Sequence, residues 1–182
     1  MCVSRCLHCV GLSLIPLALI CLLSNTLLLL PELKTNFLLE GHVTREATWA
    51  TGLWGGGFLV CHSTCDVCHI CGHHNLLSMF TSALGLLAAA GCSVVSLTGL
   101  SQGPLCLYNS TSGLTWGYLY NHSLWFGVCL EPRNVVQWNM ILFSLMAGAS
   151  FLQVLLCAAN IINSAVGMIM GHGFCQNQNT NQ

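Results

Sequence analysis

Three stretches of this chain run for more than twenty residues without one Asp, Glu, Lys or Arg: Val10 to Leu30, Leu76 to Leu100 and Trp138 to Met170. The hydrocarbon core of a bilayer takes about 20 apolar residues as a helix, and inside it every backbone polar group must be bonded within the segment. Each run meets that requirement as a spanning helix. The first ends in Leu27-Leu28-Leu29-Leu30-Pro31 rather than at a small-residue cleavage site, so it reads as an uncleaved anchor and not as a signal peptide.

Composition excludes the alternatives. Charged residues make up 5% of the 182, hydrophobic residues 54%, and the mean hydropathy is +0.72. A soluble domain carries about 25% charged residues. Four Lys or Arg and five Asp or Glu cannot cover a globule in water, so lipid must cover it. A net charge of -1 with no basic run offers nothing to nucleic acid, and that partner class is dropped.

A fourth apolar run, Ala47 to Val60, is too short alone and continues into a stretch rich in Cys and His. Topology arbitrates. Both Asn-x-Ser/Thr sequons, Asn109-Ser110-Thr111 and Asn121-His122-Ser123, lie between the last two strong runs, which places that loop outside and the C-terminal tail inside. Arg5 and the free amine favour an inside N-terminus. Two inside termini require an even number of spans, so the short run crosses. The expected spans are 10–30, 47–68, 76–100 and 138–163, with extracellular loops 31–46 and 101–137, a cytoplasmic loop 69–75 and a cytoplasmic tail 171–182. The end of that tail, Gln176 to Gln182, is polar and uncharged and reads as disordered. Lys34 and Arg45, in the first outer loop, run against the positive-inside trend.

This topology sorts the thirteen cysteines by compartment. Outside, only Cys106 and Cys129 are available, so they are expected to pair. Inside or at the membrane edge lie Cys2, Cys6, Cys9, Cys61, Cys65, Cys68, Cys71 and Cys175, the positions at which S-acylation is expected. Inert reduced thiols are the bland alternative. A metal site is the sharp one, since Cys65, Cys68 and Cys71 with His69, His73 or His74 have spacings zinc can use, although a second Cys pair beyond a long knuckle is missing. Cys21, Cys92 and Cys157 fall within spans and are expected to pack as small hydrophobes.

Within the spans, Gly52 and Gly56, Gly85 and Ala89, and Gly167 and Gly171 have the small-xxx-small spacing that lets helix backbones approach closely. Asn25, Gln153, Asn160 and Asn163 are costly facing lipid and are expected to bond across helices, the alternative being an amide-lined solute path. No catalytic motif is present. The chain lacks His-Glu-x-x-His, Gly-x-Ser-x-Gly and a phosphate loop, and Asp66 is the one intracellular carboxylate side chain, without a second for acid-base work. The expectation is a non-enzyme that needs no cofactor.

Gly103-Pro104-Leu105-Cys106-Leu107, Tyr118-Leu119-Tyr120, Ser123-Leu124-Trp125, Cys129-Leu130-Glu131-Pro132 and Val135-Val136-x-Trp138-Asn139-x-x-Leu142-Phe143-Ser144 together resemble the L6 family of four-transmembrane proteins. So do Met1-Cys2, Cys6, Cys9, Asn25, Leu28-Leu29-Leu30-Pro31 and the glycine run Gly55-Gly56-Gly57. The resemblance implies an all-α membrane protein: a four-transmembrane-helix bundle with a small disulfide-closed extracellular loop between the third and fourth helices. It further implies a lateral organiser or adaptor of integrins and other receptors in the plasma membrane or endosomal and lysosomal membranes, with homo-oligomers also compatible. Such proteins influence adhesion, migration and proliferation. True tetraspanins carry Cys-Cys-Gly in the large outer loop, which is absent here, so the likeness to them is architectural. One departure from the family pattern stands out. Its second span is a full apolar helix followed by a basic loop, whereas here apolar character stops near Val60 and the loop has neither Lys nor Arg, as though residues were missing.

Overall fold

The computed structural model describes residues 2–63, 75–110, 113–118, 120, 129–130 and 134–179. Four helices dominate it: α1 (Cys2–Leu29), α4 (described over 51–63), α5 (Asn75–Gln102) and α6 (Val135–Asn179). Between α1 and α4 come a 3-10 turn at Pro31–Leu33 and two single-turn helices, α2 (Asn36–Leu39) and α3 (Arg45–Thr48). Between α5 and α6 lies an antiparallel hairpin of β1 (Leu105–Ser110) and β2 (Gly113–Tyr118), running in register from Leu105 opposite Tyr118 to Ser110 opposite Gly113.

Helices α1, α5 and α6 each contain a stretch long and apolar enough to cross a membrane: Leu12–Leu29, Met79–Gln102 and Val135–Val166. Pro16 sits inside α1 without ending it, as membrane helices tolerate when neighbouring groups take up the freed backbone. In sequence order around the bundle, α6 packs against both α1 and α5, and α4 closes the other side against the same two helices. The pairs α1 with α5 and α4 with α6 therefore face each other across the centre.

The core reflects this ring. Cys21, Leu28, Ala47, Cys92, Phe143 and Met146 form one buried cluster, and Leu14, Val60, Ala89 and Cys157 a second nearer the other end. Outward faces are apolar as well. Leu19, Leu87, Val94, Leu145, Phe151 and Ile162 stand exposed along α1, α5 and α6. Apolar exposure on every side of a bundle whose polar residues point inward is the inverse of a soluble protein. The molecule is a multi-pass membrane protein with a helical bundle and a small disulfide-closed connection between its last two spans.

Three details depart from the expected layout. The second span was expected as one helix from 47, but Ala47 and Thr48 belong to α3, and Ala50 takes a left-handed backbone (φ +55°) that ends that turn. Leu53 N and Trp54 N both bond to Ala50 O at 3.0 Å, so a new helix starts there. Its middle, Gly52–Leu59, is π-helical, and residues 64–74, where the span was expected to continue, lie outside the described residues. The large connection, whose fold the sequence leaves open, holds the hairpin. The tail expected to be disordered from Gln176 is helical through Asn179, because once a long helix exists each further residue adds a hydrogen bond without a new nucleus.

Candidate functional site

Two regions gather the residues singled out by sequence: the end of the bundle that carries the hairpin, and the polar waist at its centre. At the hairpin end, Cys106 and Cys129 form a disulfide with Cα atoms 5.7 Å apart. Cys106 is fully buried and packs with Val135, Val136 and Tyr108 at the head of α6. Leu130 N bonds to Leu107 O at 2.8 Å, which lays the chain beyond the disulfide alongside β1.

The 31–50 connection docks on β2. The His42 ring stacks on Trp116 with centroids 3.9 Å apart and planes 8° from parallel, while Phe37 meets the same indole edge-on at 6.4 Å. Glu40 Oε2 lies 3.3 Å from His42 Nδ1, and Arg45 N donates to the Tyr118 hydroxyl at 2.8 Å. Burial raises the Tyr118 phenol above its ordinary value of 10.0, with the neighbouring Glu46 carboxylate adding to the effect. Trp138 Nε1 donates to Leu27 O at 3.0 Å and ties α6 to α1 beneath this platform. Apart from the Glu40–His42 pair, these contacts join residues far apart in sequence, and only Trp116 and Tyr118, as β-favouring aromatics in alternation, hint at them.

At the waist, the glycines of α4 admit their neighbours to van der Waals contact. A Cβ on Gly56 would stand 3.0 Å from Cys21 Sγ and 3.1 Å from Cys92 Sγ, so thiols from opposite helices close over one glycine. Gly52 is tighter, with Asn25 Cβ 2.7 Å and the Cys21 carbonyl 2.9 Å from the same hypothetical atom. Across the other diagonal, Gln153 Nε2 donates to Gly56 O at 2.7 Å, and between the neighbouring α1 and α6 Cys21 Sγ lies 3.9 Å from Gln153 Oε1. Lower down, Asn160 Nδ2 donates to Ser82 Oγ at 2.5 Å. Asn25 Nδ2 reaches Ala47 O at 3.4 Å. Three of the amides named from sequence are thus buried and bonded to other segments, as expected of packing across helices. Gly85 faces Ser63 Oγ and Cys157 Sγ at ordinary contact distances.

Of the modification candidates, Asn109 is exposed on β1, near the turn, whereas Asn121 lies outside the described residues. Cys2, Cys6 and Cys9 are on the first turns of α1, Cys61 is half-buried on α4, and Cys175 is near the end of α6. Cys65, Cys68, Cys71, His69, His73 and His74 lie outside the described residues. Among the described residues no group of three or more His, Cys, Asp or Glu is gathered as a metal would require.

The L6 membrane protein family model matches residues 1–175. The chain belongs to the L6 family. Its alignment with Transmembrane 4 L6 family member 5 of Bos taurus is 39% identical over 188 residues, covering 94% of this chain and 95% of the relative. With Transmembrane 4 L6 family member 1 of Homo sapiens, identity is 35% over 196 residues and 96% of each chain. The alignment with member 1 of Mus musculus extends over 202 positions at 31% identity and takes in all of this 182-residue chain, so family members carry residues that this L6 protein lacks. No solved structure matches the chain.

Proposed function

We propose that this L6 protein is a non-enzymatic lateral organiser of receptors and adhesion proteins such as integrins in the plasma membrane, influencing adhesion, migration or proliferation. The observation that carries this reading is how its surfaces are divided. Among the described residues, Asn25, Gln153 and Asn160 donate to backbone carbonyls or to a serine hydroxyl on other segments, the helix exteriors are apolar, and the hairpin with the loop docked on it offers an ordered polar-aromatic surface. A bundle so arranged has lipid-facing sides and one platform with which to meet other membrane proteins.

The proposed topology places the hairpin outside and both termini inside, with Asn109 and Asn121 glycosylated. Crossings at 10–30, 47–68, 76–100 and 138–163 leave Cys2, Cys6, Cys9, Cys61, Cys65, Cys68, Cys71 and Cys175 at the cytoplasmic edge, where acylation would concentrate the protein in particular membrane patches. A disulfide in the hairpin connection supports an oxidising compartment on that side.

The reading is tested by proximity labelling from the tagged full chain in intact cells, compared with Trp116→Ala and with an unrelated four-span protein. Adhesion receptors should be labelled several-fold above the unrelated control, and the Trp116→Ala chain should lose most of that excess. Labelling no higher than the control would contradict it.

A further inference from the structure

Cys21 on α1 and Cys92 on α5 are unbridged cysteines, both 0% exposed, on helices that face each other across the bundle. Both sulfurs lie within 3.1 Å of one point, the place a Cβ would occupy on Gly56, so the two distances to that point together bound their separation. The Cys21 Cβ is 3.1 Å from the same point, and each thiol is within hydrogen-bonding reach of the other. Packing as small hydrophobes accounts for the burial of these residues. It does not account for two sulfurs from opposite helices meeting over the one residue type without a side chain. Cys157, the third buried thiol of the spans, sits instead in the other core cluster with Leu14, Val60 and Ala89.

The polar groups of the waist gather on the same pair. Gln153 Oε1 is 3.9 Å from Cys21 Sγ, and the Ser96 and Ser150 side chains and the Gly56 backbone reach Cys92. In an apolar core these are the contacts that let a thiol give up its proton for the moment of reaction, and the thiolate is the form that attacks a peroxide.

We propose that Cys21 and Cys92 are a redox modification site, two thiols that hydrogen peroxide converts into a disulfide joining α1 to α5 across the bundle. Hydrogen peroxide is small and uncharged, and so reaches a lipid-surrounded core that charged oxidants do not. The Cys92 sulfur attacks one peroxide oxygen, the O–O bond breaks, and the departing hydroxide leaves as water with the Cys92 proton. The Cys21 sulfur then attacks the sulfenic acid so formed. The S–S bond forms, the S–O bond breaks, and a second water carries off the hydroxyl and the Cys21 proton. The two thiols lose two electrons and the peroxide gains them. Because the bridge removes the Cys21 hydrogen that faced Gln153 Oε1, it exchanges a polar contact between α1 and α6 for a covalent tie between α1 and α5.

The test treats the full chain in lipid nanodiscs with graded hydrogen peroxide, then denatures it, alkylates the remaining thiols and digests it without reductant for mass spectrometry. A peptide joining Cys21 to Cys92 should appear, rise to saturation with peroxide and vanish when dithiothreitol precedes digestion, while Cys157 stays alkylated. Gly56→Ala places a methyl group against both sulfurs and should lower the yield of the joined peptide several-fold. Cys21→Ser should abolish that peptide and leave Cys92 as its oxygen acids. Should Gly56→Ala fail to fold, the wild-type digest and Cys21→Ser decide alone. Cys21 and Cys92 both recovered alkylated at peroxide levels that oxidise other cysteines would overturn the proposal and leave the pair as packing. So would Cys92 oxidised to sulfinic acid in the wild type with no joined peptide, or either cysteine joined as often to Cys157.

Discussion

At the scale of single residues, the waist depends on atoms that are absent. Gly52 presses on the Asn25 side chain and on the Cys21 backbone carbonyl, and backbone cannot move aside as a flexible side chain does. Gly52→Ala should therefore cost about 1–3 kcal/mol through overpacking, read as a lower unfolding midpoint in nanodiscs. Gly91, with open space beside it, is the control and should tolerate Ala with little change. Gln153 gives a second test of the waist. Its bond to Gly56 O joins helices that face each other across the bundle, and cross-helix bonds in membrane proteins contribute about 0.6 kcal/mol on average and up to about 1.7. Gln153→Leu should lower stability by an amount in that range, and a gain in stability would show that the bond contributes nothing. The small-residue spacing and the isolated amides in apolar runs made this region legible from sequence, because both patterns are costly in lipid unless a neighbouring helix answers them. The convergence of Cys21 and Cys92 on Gly56 was not, since no local pattern reports which helices share a glycine.

At the scale of elements, the hairpin connection and the 31–50 connection support each other. Cys129→Ser should open the 23-residue separation bridged to Cys106 and cost about 2–5 kcal/mol. The chain would then migrate identically in reduced and non-reduced gels, while the wild type would not. The dock also responds to alkali. Because burial raises the Tyr118 phenol, the folded state holds its proton more tightly than the unfolded chain does. That contribution is fully present below the ordinary tyrosine range near pH 10 and is lost as pH rises through the elevated folded value. Tyrosinate absorbance during an alkaline titration should show a late-titrating group that Tyr118→Phe removes, with neutral-pH stability lowered only by loss of the Arg45 N to Tyr118 bond. Sequence conveyed the Cys106–Cys129 pair by compartment alone, but not the hairpin, whose strands alternate weakly and bury little. Nor did it convey the break at Ala50. Apolar content marks a membrane segment, but the left-handed turn that divides Thr48 from Thr51 depends on the packing of Asn25 and Gly52 in three dimensions.

At the scale of the whole molecule, hydropathy and charge specified the class: long apolar helices, few ionised groups, polar atoms turned inward. They specified three of the helices closely, since α1, α5 and α6 each contain the run expected of a span. The fourth is described over 51–63, where glycines and a π-helical middle stand in place of the continuous apolar stretch seen in the others. Everything proposed about sides rests on that helix crossing. The direct test is glycosidase sensitivity with Asn109 and Asn121 replaced singly by Gln, combined with accessibility of tags on both termini in intact and permeabilised cells. A glycosidase-sensitive hairpin connection with both tags reached only after permeabilisation is the expected result. A glycosylated connection with the N-terminal tag exposed on intact cells would contradict it, since α4 would then fail to cross and every cysteine before it would lie on the opposite side.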